Sequence, residues 1–114
     1  MPDTHEIPLR KDVPAAHRWN LSKLSESDAA WDRDLAVVES GIAAAAAFQG
    51  TLAQSSESLY AALTALRGHS MLEERLGYYA HLRQTEDEGD SGSRGRMGRF
   101  MMAATKGQAA WSWM

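Results

Sequence analysis

DAAWDRDLAVVESGIAAAAAF, residues 28 to 48, is the stretch whose reading decides the fold. Trp31, Leu35, Val38, Ile42 and Ala46 recur at intervals of four, three, four and four, which places them on one stripe of a helix. Asp32, Arg33 and Glu39 fall elsewhere on the wheel. Upstream, residues 22 to 28 offer several side-chain oxygens to free N–H groups, with Ser25 and Asp28 in capping-box spacing. Downstream, Gly50 supplies a left-handed stop. A first helix over Asp28 to Phe48 follows. Gly41 lies inside it and costs ~1 kcal/mol relative to alanine unless a close helix crossing uses the absent side chain.

Working outward, Ser55, Ser56 and Glu57 form the next start signal, followed by Leu59, Leu63 and Leu66 on one face. Gly68, His69 and Ser70 weaken the pattern before Leu72, Leu76, Tyr79 and Leu82 resume it, which predicts two helices or one kinked helix. Thr85 to Gly95, TEDEGDSGSRG, has no apolar side chain and reads as a solvated loop dividing the chain. A last helix starts near Ser93 or Arg94, with Met97, Met101, Ala104 and Trp111 on one face and Phe100 beside it. The first 24 residues hold all three prolines and no apolar period, so they read as an extended lead-in on the surface. The expected architecture is all-α: a lead-in over 1–24, then a bundle of three to four helices over 25–114. The final Trp111-Ser112-Trp113-Met114 reads as a chain cut within a helix, because a terminus ordinarily carries polar, frayed residues.

Charge and composition exclude several functions. Twelve basic residues against fifteen acidic ones leave a net charge of −3, with no excess to hold a phosphate backbone and no polybasic segment for a membrane. Cysteine is absent, which removes disulfides, thiolate metal ligands and thiol nucleophiles together. Met1 to Asp12 lacks the continuous apolar core of a signal peptide. The longest apolar run, Ile42 to Phe48, falls far short of the roughly 20 residues that span a bilayer. Neither nucleic acid nor membrane is expected as a partner, and the cytoplasm is the default location.

Motifs that carry chemistry are scarce. His5-Glu6 is followed by Ile7, Pro8 and Leu9, so no second histidine stands one turn on, and the prolines oppose a ligand helix. His69 and Glu73 share a helix face at i,i+4, with His81 as a third metal-binding group, but a closed zinc site ordinarily takes four ligands. A helix-start histidine beside solvated acids is the simpler reading. Gly89, Gly92, Gly95 and Gly98 follow no strand and precede no Lys-Ser/Thr pair, which excludes a phosphate loop. Glu86, Asp87, Glu88 and Asp90 lack the alternation of a calcium loop. Among the aromatics Trp19, Trp31, Tyr78, Tyr79, Trp111 and Trp113, the periodic Trp31 and Tyr79 read as core. On a continuous helix Trp111 and Trp113 stand about 200° apart, so at least one is expected to face a partner. No catalytic, cofactor-binding or metal residue is nominated.

Three segments, in this order, resemble the N-terminal region of oligoendopeptidase F and its relatives in the thimet-type zinc oligopeptidase group. Arg18-Trp19-Asn20-Leu21-Ser22-Lys23-Leu24, with Trp31 after it, is similar to the family's opening Trp-Asp-Leu-x-x-Leu segment. Phe48-Gln49-Gly50-Thr51-Leu52 is similar to its Phe-x-Gly-x-Leu element. Tyr79-Ala80-His81-Leu82-Arg83, with the acidic stretch that follows, resembles a further segment. Asn20 stands where the family carries an acid, and the aromatic expected shortly after Leu24 is absent.

The resemblance implies a longer parent with zinc on a His-Glu-x-x-His helix in its C-terminal half, no residue of which maps here. It implies that this chain is a non-catalytic helical wall or lid beside a channel for short peptides, with the catalytic domain and, through the parent, peptide substrates as partners. Alone the chain is expected to be inactive, zinc-free and self-associating. The alternative is a self-contained helical adaptor or dimerisation protein.

Overall fold

The computed structural model describes residues 7–114. Three α-helices, α1 (Asp28–Phe48), α2 (Ser56–Glu86) and α3 (Ser91–Trp111), pack each against the other two, with no strand among the described residues. The chain runs up α1, down α2 and up α3, so α1 and α3 are parallel. Ahead of them the lead-in forms two short 3₁₀ turns, Arg10–Asp12 and Ala15–His17, and Leu21 and Leu24 rest against the core.

The first helix has the expected bounds, but its cap is Ser27, not the Ser25–Asp28 pair. The Ser27 hydroxyl accepts from the Ala30 amide at 3.1 Å, while Ser25 donates to the Ser27 carbonyl. Trp31, Leu35 and Val38 enter the core, and Ala45, not Ala46, continues the stripe. A straight helix drifts from a strict four-three pattern, so a long stripe shifts by one position. Gly50 takes φ +83°, the left-handed stop beyond the helix.

The second helix is continuous for 31 residues, capped by Ser55, and neither breaks nor divides at Gly68. Helices α1 and α3 have 21 residues each, so α2 overhangs them. Leu59 and Leu63, expected in the core, lie on this overhang, 40% and 49% exposed, while Ala62 is buried. Farther along, Leu76, Tyr79 and Ala80 are buried as the spacing predicts.

The expected eleven-residue loop shrinks to four residues, 87–90. Asp90 caps α3 by accepting from the Gly92 amide, and the Ser93 hydroxyl donates to it at 2.7 Å. Gly92, Gly95 and Gly98 are therefore helical. Packing outweighs their poor propensity: Ser93, Arg96, Ala103, Ala104, Gly107 and Trp111 form the buried face. Met101, expected there, is 52% exposed. The helix ends at Trp111, so the 200° separation does not apply. Trp113 folds back and stacks on Trp111 at 6.1 Å, and Trp111 stacks on Phe48 of α1.

Trp31 is the centre of the core. It has no exposed surface, and its Nε1 donates to the Leu76 carbonyl at 3.0 Å, joining α1 to α2.

Candidate functional site

A cluster of charged side chains lies where α1 begins, α2 ends and α3 begins. Asp28, in the first turn of α1, accepts from the Tyr79 hydroxyl at 2.7 Å and from Arg83 at 3.3 Å, and its Oδ2 lies 3.0 Å from Nη2 of Arg96. Arg83 also reaches Glu86 at 3.8 Å, and Arg10 of the lead-in closes on the same Glu86 oxygen. The lead-in is thereby tied to the end of α2.

Arg96 is the residue that sequence reading missed. It is 6% exposed and its guanidinium sits over the rings of Trp31, at 5.7 Å, and Tyr79, at 6.0 Å. Its Nε and Nη1 have no hydrogen-bond partner among the described residues, so the ring faces and Asp28 carry the charge. The available signal was its spacing: Arg96 shares one helical stripe with Phe100, Ala103 and Gly107.

The electrostatics follow from these contacts. Burial alone raises the Asp28 carboxyl, but the Tyr79 hydroxyl, Arg96 and Arg83 outweigh it and hold the group below the ordinary aspartate value. Tyr79 is pushed up to about 12, first by burial and then by its bond to Asp28. Both shifts lock the pair as carboxylate and neutral phenol through the physiological range. That stabilises the helix junction. Beside the cluster an open recess of about 390 Å³ is lined by Arg10, Arg18, Trp19, Tyr79, Arg83 and Glu86 among others.

The metal candidates behave differently. His69 Nε2 lies 3.0 Å from Glu73 Oε2, and the imidazole is buried where all three helices cross. A Cβ on Gly41 of α1 would stand 3.3 Å from its Nδ1, and one on Gly107 of α3 would stand 2.9 Å from its Nε2. Gly41 thus has the close-crossing role that justifies a glycine inside α1. His81 is exposed and twelve residues on, about 18 Å along the axis, so the three are not brought together. Among the described residues no group of three or more His, Cys, Asp or Glu is arranged to hold a metal ion. Two donors do not fit zinc, which takes at least three from a protein. His5-Glu6 lies outside the described residues.

Of the aromatics, Trp31, Tyr79 and Trp111 are buried, while Trp19 and Tyr78 are 55% exposed. No helix of the described residues is long and apolar enough to cross a membrane.

Compared with known proteins, the chain is 36% identical over 90 residues to oligopeptidase PepF of Bacillus subtilis, a match that covers 76% of this chain. It spans 13% of that relative's length. No family model matches, and no solved structure does. The match bears out the resemblance carried by the Trp19, Phe48 and Tyr79 segments.

Proposed function

Starting from an oligoendopeptidase F-like sequence, we propose that this chain is a non-catalytic helical domain of a zinc metallopeptidase acting on short peptides, where it shapes or covers the substrate channel. One observation carries the reading: 36% identity over 76% of the chain accompanies a sequence with no His-Glu-x-x-His. Zinc and peptide chemistry belong to other parts of the parent, whose catalytic domain is the partner, and the cytoplasm is where it acts. The stapled helix junction at Asp28 suits a wall that holds its shape.

The test is direct. The purified chain is incubated with internally quenched peptides, with and without added zinc, and its metal content is measured. We expect no hydrolysis and no stoichiometric zinc; either one overturns the non-catalytic assignment. An in-frame His-Glu-x-x-His beyond the codon for Met114 supports the peptidase parent, and a stop codon there defeats it. A second reading, a small helical adaptor, draws on the complete burial of Trp31 and Leu76 within this chain. The stop codon would favour it.

A further inference from the structure

The outer face of α2 carries an apolar pair that the bundle does not use. Met71 is 53% exposed and Tyr78 is 55% exposed, and between them lie Glu74 and Arg75. These four side chains fall within about 100° of arc on the helix, one continuous stripe on the bundle surface, with Arg75 at its edge toward Ala30, Arg33 and Asp34 of α1. With Leu24 of the lead-in they line a recess of about 210 Å³. Neither Glu74 nor Arg75 makes an ion pair among the described residues.

The order Met-x-x-Glu-Arg-x-x-Tyr is self-complementary when reversed. Across a two-fold axis passing midway between residues 74 and 75, an antiparallel copy of α2 sets Met71 against Tyr78 of the second copy. It also sets Glu74 against Arg75 of that copy, and the symmetry makes each contact twice. The thioether meets an aromatic ring, a favourable pairing, and both charges are matched. We propose that α2 binds a second copy of this chain through Met71, Glu74, Arg75 and Tyr78 in an antiparallel two-fold pair. The proposal stands on this geometry alone and does not depend on the peptidase reading.

Charge exchange tests it. Sedimentation equilibrium of the wild-type chain is expected to show a monomer–dimer equilibrium. Glu74→Arg sets two like-charged pairs across the axis, as does Arg75→Glu, and each variant alone is expected to dimerise at least about tenfold more weakly. Mixed in equal amounts, the two variants oppose Arg to Glu at both contacts, so a heterodimer of wild-type strength is expected. All four side chains lie on the bundle surface, and unchanged helical circular dichroism confirms that the variants fold.

A wild type that remains monomeric to about millimolar concentration overturns the proposal. Undiminished dimerisation of Glu74→Arg, or failure of the mixture to recover it, overturns the axis and leaves non-specific apolar adhesion.

Discussion

Asp28 gathers a phenol and two guanidinium groups onto one exposed-edge carboxylate, joining three helices through a single side chain. Its folded pKa lies below the unfolded value, so its contribution is fully present above about pH 4 and is lost as pH falls through the folded value. Asp28→Asn keeps the size and removes the charge that Arg96 needs. We expect a loss of about 2 kcal/mol at pH 7, with the gap between variant and wild type closing below pH 4, as followed by urea unfolding across pH. The hub was only half legible in the sequence. Trp31 and Tyr79 announce themselves by period, whereas the only sign of Arg96 is its place on the stripe of Phe100, Ala103 and Gly107, where a cation ordinarily reads as the stripe's solvated end. Only the tertiary arrangement, with aromatic faces on both sides and a carboxylate at the end, makes its burial tolerable.

At the level of elements, legibility followed the strength of local punctuation. Helix α1 has serines before it, an unbroken apolar stripe and Gly50 after it, and both of its bounds were readable. Helix α2 continues through Gly68-His69-Ser70 because His69 is held between α1 and α3, a constraint that no window of sequence contains. The start of α3 was misplaced because glycine-rich, apolar-poor sequence ordinarily means loop, while here buried Ser93 and Arg96 hold the first turns.

The glycines of α2 test how far packing rules. A Cβ at Gly68 meets nothing within 4 Å, so Gly68→Ala is expected to gain up to about 1 kcal/mol. At Gly77 a Cβ would stand 2.6 Å from the Phe100 ring, so Gly77→Ala is expected to cost about 2 kcal/mol through overpacking. Thermal unfolding should move the two midpoints in opposite directions. A Gly77→Ala variant as stable as Gly68→Ala would mean that Phe100 yields without cost.

Across the whole molecule, charge is segregated by helix. Helix α3 carries Arg94, Arg96, Arg99 and Lys106 and no acid, while α1 carries Asp28, Asp32, Asp34 and Glu39 against Arg33 alone. Parallel alignment sets Asp28 beside Arg96 and Asp32 beside Arg99 at 3.0 Å each, one register for two contacts. Composition showed the net charge but not this partition, whose meaning appears only once α1 and α3 are known to run the same way.

An odd number of helices has a topological consequence. The lead-in is fastened near Glu86 at one pole, and Trp111 stands at the other, beyond the 21 residues of α3, about 30 Å away. Circular permutation therefore needs a bridge about as long as the bundle itself, roughly ten extended residues or more. A permutant opened within residues 49–55 that links Trp111 to Arg10 through only four residues should unfold far below the parent temperature, while one that links them through fifteen flexible residues should regain its cooperative transition.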